Sequence, residues 1–349
     1  MAADTFILDV EASSPCKVYI GEGILEGCAD RLGGEPARKI LAVCDGRVLS
    51  LWKEKLESFL GALDAEVTVF VMENAEHDKN MDTALRAVDV MASRSFGPDS
   101  CVMSVGGGSA GDLSGFVSDI YMRGVKLVHV PTSIIAMTDS CTGGKNALDH
   151  GGAKNLLGTL KQPYCVIADS SFLSTMPRRL LGEGYGEIIK YDVISGRDIS
   201  MTEDMPLMIF ECLSIKADFV REDEFDRGRR HILNFGHTFG HAFEALSGYE
   251  MSHGAAVGYG MKLICAWAAS EGIASRSLYE HITAKLDMRG ITGMPVFTED
   301  EICSLIRFDK KNRAGGADLV VPRSPGDLFV MNVPFGDIPD LIREAYSWM

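Results

Sequence analysis

The stretch RHILNFGHTFGHAFEALSGYEMSH, Arg230 to His253, holds four of the chain's eight histidines. His237 and His241 are spaced i, i+4, which stacks them on one face of a helix. Ile232, Leu233, Phe235, Phe239 and Phe243 supply an apolar side. The pattern predicts a helix over 232–246 that stops at Ser247-Gly248, with His253-Gly254 opening the next one. Imidazoles converging from a helix and the following turn can hold a divalent metal. The competing reading is a buried helix whose histidines are satisfied by hydrogen bonds. Three histidines with Arg230 and Asn234 alongside favour the metal.

Upstream of this stretch the pattern is different. Short apolar runs at Lys39–Cys44, Glu66–Met72, Cys101–Val105 and Leu127–Val130 alternate with helical periodicity at Val48–Leu63, Met81–Arg94 and Leu113–Tyr121. That is the signature of a parallel sheet covered by helices. Beyond about Ser170, long amphipathic segments dominate: Arg178–Ile189, Met205–Val220, Ile232–Leu246 and Ala255–Glu271. The expected architecture is α/β with two domains. A parallel-sheet, Rossmann-like domain spans 1–168, and a mostly α-helical one spans 169–349.

Composition narrows the function classes. A chain of 349 residues with 46% apolar residues is long enough for two cores. The net charge of −15, with no basic stripe, argues against nucleic acid or an anionic membrane as partner. No apolar run reaches membrane-spanning length, and the N-terminus lacks a signal-peptide pattern. Nine scattered cysteines without a C-x-x-C pair fit reduced thiols in the cytoplasm. Cys141, beside a glycine-rich loop, is the candidate for a reactive one.

Two further stretches carry chemistry. Gly106-Gly107-Gly108-Ser109-Ala110-Gly111-Asp112 satisfies G-x-G-x-x-G between a strand and a helix, where glycines let a pyrophosphate approach backbone N–H groups. It follows the third recognisable strand, and no acidic residue stands about 20 positions later, so dinucleotide binding is expected outside the usual order. Pro131–Asn155 then mixes Asp139, Lys145, Lys154 and Asn155 with Gly143, Gly144, Gly151 and Gly152, a composition suited to an oxyanion or phosphate. In Gly186-Glu187-Ile188-Ile189-Lys190, Glu187 and Lys190 share a helical face with apolar flanks. A carboxylate drawn inward there would complete a two-His, one-Glu metal site with an open position.

Taken together, GGGSAGD, YMRG, PTSIIAMTDS, GGK, AKNLLG, GEIIK, NFGHTFGHAFE, HGAAV and FDKKN occur in an order and spacing that resemble the 3-dehydroquinate synthase family of sugar-phosphate cyclases. The resemblance implies a divalent metal, zinc or cobalt, on Glu187, His237 and His253. It implies that Asp139, Lys190 and Asn155 surround substrate hydroxyls and that Lys216 and Arg230 hold a carboxylate. Lys145, Asn234, His241 and Lys310 or Lys311 would cage a phosphate, with Lys154 beside them. Arg123 would reach a phosphate across a homodimer interface. For NAD it implies Asp45, Glu76 and Lys79 at the adenosine half and Gly107, Gly108, Asp112 and Thr132 along the rest. Asp139, Lys145 and Lys154 would also be within reach of the cofactor. The implied partner is a small sugar phosphate, 3-deoxy-D-arabino-heptulosonate 7-phosphate, cyclised with phosphate loss and no net redox.

Asn146 after G-G-K and Ser133 after Thr132 depart from the commonest pattern of that family, in which threonine stands at both positions. Ser118-Asp119 before Y-M-R-G departs too. Another sugar-phosphate cyclase, a metal-dependent NAD alcohol or glycerol dehydrogenase of related fold, and a non-catalytic binding protein are the rival readings.

Overall fold

The computed structural model describes residues 4–32, 37–308 and 315–349. In chain order the elements are β1 (Phe6–Val10), β2 (Cys16–Gly21), β3 (Lys39–Asp45), α1 (Gly46–Leu51), α2 (Lys53–Gly61), β4 (Glu66–Met72), α3 (Met81–Ser93), β5 (Cys101–Gly106), α4 (Gly108–Ile120), β6 (Lys126–Pro131), β7 (Lys145–His150), β8 (Ala153–Leu160) and β9 (Cys165–Asp169). Then follow α5 (Arg178–Ser195), α6 (Met205–Glu222), α7 (His237–Leu246), α8 (His253–Ser270), α9 (Arg276–Met288), α10 (Glu299–Phe308), β10 (Gly316–Ser324), β11 (Asp327–Pro334) and α11 (Ile338–Trp348). The chain is α/β and divides into two compact units: Met1–Met176 with Asp204–Phe225, and Pro177–Glu203 with Asp226–Met349.

The first unit is built on a sheet ordered β1-β2-β9-β6-β5-β3-β4 among the described residues. Only the β1–β2 pair is antiparallel. Central strands of a parallel sheet are covered on both faces, so they read as continuous apolar runs. Leu41, Val43, Val102 and Val105 are accordingly sealed from solvent. From β3 the chain moves outward to β4 and then returns to β5 on the other side of β3. That reversal opens a crevice at the carboxyl ends of β3 and β5, where α/β sheets bind ligands. Asp45 ends β3, and the Gly106–Gly108 turn follows β5.

Several boundaries differ from the sequence expectation, each for a local reason. The helix expected over 48–63 is two helices, broken at Trp52, whose φ of −119° leaves the helical region. The helix expected from Ile232 starts at His237 instead. Residues 229–234 form a tight 3₁₀ turn, and Gly236 at φ +80° is left-handed, a conformation glycine adopts without steric cost. The glycine-rich Lys145–Asn155 run, for which no strand was expected, is largely a hairpin of β7 and β8. The second half also contains the β10–β11 hairpin. A single border after residue 168 was expected. The chain instead passes between units at 176/177 and returns α6 to the first unit, where it packs on β1, β2 and the turn at 136–140.

The second unit is organised around α8. Residues 254–258 and 260–268 of this helix are buried on all sides, which is what a helix apolar around its whole circumference requires. It packs against α5, α7, α9 and α11. Ser252 caps it, its hydroxyl accepting from the Ala255 amide. No helix among the described residues is long and apolar enough to cross a membrane.

Candidate active site

In the second unit three backbone devices bring Glu187, His237 and His253 together. Glu187 follows Gly186, and a Cβ on Gly186 would sit 1.9 Å from the Gly254 carbonyl oxygen. Helices α5 and α8 therefore cross backbone on backbone, which sets Glu187 beside His253. His237 follows Gly236, whose own carbonyl oxygen lies 1.9 Å from where a Cβ of Gly260 would be. Each of the three side chains thus stands next to a glycine that permits a close helix approach.

The resulting cluster is tight. His253 Nε2 lies 3.0 Å and His237 Nε2 3.3 Å from Glu187 Oε1, and Lys190 Nζ lies 2.6 Å from Glu187 Oε2. Glu187 and Lys190 are buried, at 0% and 1% exposure. Neither carboxylate oxygen of Glu187 meets a neighbour in hydrogen-bond geometry. Burying a carboxylate is costly, and Lys190 with the two imidazoles supplies its counter-charge and nearby N–H groups here. One divalent cation among the three would satisfy all of them. The donor atoms lie within 4.8 Å of one another, and two nitrogens with one oxygen suit zinc or cobalt with an open position. The residues fit a metal.

Burial pushes the Glu187 carboxyl up, but the charge of Lys190 and the two imidazoles outweigh it and hold the group well below the usual carboxylate range. Burial is the main cause that lowers His237 to about 4, so its imidazole is neutral. His253 is also opposed by burial, yet the carboxylates of Glu187 and Glu244 raise it to about 10. His241 joins the group, its ring centroid 5.5 Å from that of His237 and 5.9 Å from that of His253. Arg230, 3% exposed, and half-buried Asn234 stand on the 229–234 turn, which packs on α5. Lys310 and Lys311 lie outside the described residues.

The first unit gathers two other groups. Lys79 is 6% exposed; its ammonium lies 2.7 Å from Asp112 Oδ2 and donates to Asn155 Oδ1 at 2.5 Å. Burial lowers the Lys79 ammonium, but the carboxylates of Asp112, Asp149 and Glu76 reverse that and raise it. Burial wins at Asp112, whose carboxyl is raised despite Lys79. Glu76 accepts from Ser109 and pairs with Lys154 at 2.8 Å. Asn155 sits at φ +54° on β8, with its amide donating to Asp149. The second group is Asp139 with Lys216 of α6: Nζ is 3.0 Å from Asp139 Oδ1 and donates to the Asp139 carbonyl at 2.7 Å.

Asp45, Gly107 and Thr132 follow the carboxyl ends of three adjacent strands, β3, β5 and β6. Asp45 caps α1 by accepting from the Arg47 and Val48 amides. The N-terminus of α4 has Gly107 as its cap and no side-chain cap. Its first amides thus present a partial positive charge suited to a pyrophosphate, and the residues fit a dinucleotide. Lys145, exposed, opens β7, and Arg123, exposed, lies at φ +66° just before Gly124. Cys141 is buried and its thiol pushed to about 12, chiefly by burial, so it is a weak nucleophile.

Sequence reasoning gave no role to Glu244, Ser109 or Asp149. Glu244 was within reach, since it follows His237 by seven and His241 by three and so shares their helical face. Ser109 lies inside the glycine motif, where attention falls on the glycines. Asp149 is brought to Lys79 and Asn155 by the β7–β8 hairpin.

Comparison with known proteins identifies the family. Residues 69–183 match the model of the 3-dehydroquinate synthase N-terminal family, and 184–312 that of the 3-dehydroquinate synthase C-terminal family. The chain is 36% identical to the 3-dehydroquinate synthase of Lactiplantibacillus plantarum over 323 residues, which is 89% of this chain and 90% of that protein. It is 35% identical to that of Pelotomaculum thermopropionicum over 332 residues, 90% of each. Among solved structures, 2-epi-5-epi-valiolone synthase from Streptomyces hygroscopicus, with NAD+ and Zn2+ bound, superposes with a TM-score of 0.84 at 25% identity, covering 97% of this chain and 98% of that one. A 2-deoxy-scyllo-inosose synthase with carbaglucose-6-phosphate, NAD+ and Co2+ superposes at 0.88 with 23% identity, covering 98% and 99%, which speaks for the fold. The chain belongs to the 3-dehydroquinate synthase family.

Proposed function

We propose that this chain converts 3-deoxy-D-arabino-heptulosonate 7-phosphate to 3-dehydroquinate and inorganic phosphate, with NAD and a divalent metal as cofactors. The observation that carries the reading is the buried Glu187 carboxylate with two imidazole nitrogens within 3.3 Å, inside a chain that matches the family over both of its parts. In this reading the first compact unit serves NAD and the second the metal.

Glu187, His237 and His253 would hold the metal, which when bound polarises substrate hydroxyls while NAD accepts a hydride and later returns it. The chain's own groups do the rest. Lys190 balances the Glu187 charge and would face a substrate hydroxyl. Asp139, tied to Lys216, and Asn155, tied to Lys79, orient further hydroxyls. Lys216 and Arg230 are buried cations suited to a carboxylate, which demands a fixed, charged partner. The departing phosphate is assigned to Lys145 and Lys154 of the first unit, to Asn234 and His241 of the second and, as the family resemblance implies, to Lys310 or Lys311, since fixed donors stabilise the charge of the departing group. Asp45, Glu76, Lys79, Gly107, Gly108, Asp112 and Thr132 line the NAD side.

We also infer a cytoplasmic homodimer in which Arg123 serves a neighbouring phosphate. Its exposed place in a left-handed turn supports that role. The superposition on other sugar-phosphate cyclases keeps a sister reaction as the second reading. Product identification decides. NMR of the product from 3-deoxy-D-arabino-heptulosonate 7-phosphate, with NAD and zinc, should give 3-dehydroquinate. Unreacted substrate under those conditions, with turnover of another sugar phosphate, would overturn the assignment.

A further inference from the structure

Glu244 is a carboxylate at 5% exposure on α7, one of the few buried acids in the second unit that no role above uses. Its Oε2 lies 3.0 Å from Nδ1 of His253. On the far side of the same ring, Nε2 lies 3.0 Å from Glu187. The imidazole is thus gripped at both nitrogens by carboxylates from two different helices. A hydrogen bond from Nδ1–H to Glu244 leaves the Nε2 lone pair pointing at Glu187 and His237, where a metal would sit. The grip is rigid because α7 and α8 touch through their backbones. A Cβ on Gly240 would lie 3.1 Å from the Ala256 carbonyl. Building a carboxylate into that contact is costly unless a cationic or N–H partner meets it, and His253 is such a partner.

We propose that Glu244 is a positioning residue that fixes the tautomer and orientation of His253 for metal binding. This rests on the metal reading of Glu187, His237 and His253. A carboxylate behind a metal-bound imidazole sets ring orientation and raises ligand basicity, and its loss typically lowers metal affinity by about 10- to 100-fold. The same atoms allow a rival, because His241, Glu244 and His253 also converge closely enough to form a metal group of their own. Stoichiometry separates the two.

The experiment uses chelator-treated full-length protein and cobalt. Affinity is read by competition with a chromophoric chelator, and ligand geometry by the visible absorption of bound Co2+. Wild type should bind one Co2+ per chain, and His253→Ala should abolish or greatly weaken that binding. Glu244→Ala should lose about 10- to 100-fold in affinity with an altered cobalt spectrum, and Glu244→Gln, which keeps an acceptor for Nδ1–H, should lose less. In the His253→Ala background Glu244→Gln should add nothing, because it acts through that ring. A merely structural Glu244 would lower the melting temperature of the metal-free protein without this dependence on His253. Wild-type affinity in both Glu244 variants, an equal further loss without His253, or a second Co2+ that departs with Glu244 would each overturn the inference. Cobalt bound with no dependence on His253 would overturn the metal reading itself and this inference with it.

Discussion

Gly186→Ala tests whether the proposed metal ligands are placed by the helix crossing or by their own side-chain choices. The new Cβ would lie 1.9 Å from the Gly254 carbonyl oxygen and 2.7 Å from its carbon, against 3.4 Å for ordinary contact. Both are backbone atoms, so no rotamer change relieves the clash. α5 and α8 must part by roughly 1 Å or more, at an overpacking cost of about 1–3 kcal/mol. The residues displaced are the neighbours of that contact, Glu187 on α5 and His253 on α8. Their facing atoms are 3.0 Å apart, and metal ligands must reach about 2.0–2.2 Å from a shared ion. A misplacement on the order of 1 Å costs about 100-fold in turnover. The assay pairs thermal unfolding of metal-free protein with zinc competition, and Gly61→Ala serves as control because nothing lies within 4 Å of a Cβ there. Gly186→Ala should lose at least about 10-fold in zinc affinity, while NAD binding, assigned to the other unit, is retained. Wild-type zinc affinity and stability in Gly186→Ala would refute the argument that this crossing sets the site.

Four further outcomes follow from the charges and burial. His253, raised to about 10, must lose its proton to ligate, whereas His237, lowered to about 4, and ionised Glu187 need lose none. Metal binding should therefore release about one proton, and affinity should rise about 10-fold per pH unit below about pH 10; calorimetry in buffers of different ionisation enthalpy reads this, and a release of zero or two protons contradicts it. His129, buried and lowered to about 4 by burial, is neutral in the fold, so its stability contribution is intact above its ordinary 6.5 and is lost as pH falls toward 4, about 3 kcal/mol in all. His129→Gln should flatten the acid limb of a denaturation profile, and an unchanged limb would count against it. Lys79→Met strips the counter-charge from Asp112 and should cost about 3–5 kcal/mol in urea denaturation, with Asp112→Asn in the same chain recovering part; a loss under 1 kcal/mol, about the worth of a surface pair, would show that the pair is hydrated. Lys145→Ala should lower phosphate release far more than NAD affinity, and equal losses in both would remove it from the phosphate cage.

The parallel sheet was legible because buried central strands are apolar without interruption, and Lys39–Asp45 and Cys101–Gly106 read that way from either direction. The Glu187–His237–His253 cluster was legible too, since the i, i+4 histidines and the Gly-Glu-x-x-Lys segment are compact patterns. The return of α6 to the first unit was not, because an amphipathic helix declares which face is buried but not against what. The start of α7 was hidden by Gly236, whose left-handed φ is invisible to a periodicity count. The β7–β8 hairpin was obscured by glycines that read as loop, yet it carries Lys145, Lys154 and Asn155. Glu244 looked like an ordinary helix former until His253 was placed against it.

The most direct test of the account is inorganic phosphate release from 3-deoxy-D-arabino-heptulosonate 7-phosphate by chelator-treated protein, with catalytic NAD and with or without added zinc or cobalt. The account predicts release that depends on metal and NAD, with 3-dehydroquinate formed and no accumulation of NADH. NADH accumulating without phosphate release, or phosphate release indifferent to both cofactors, would contradict it.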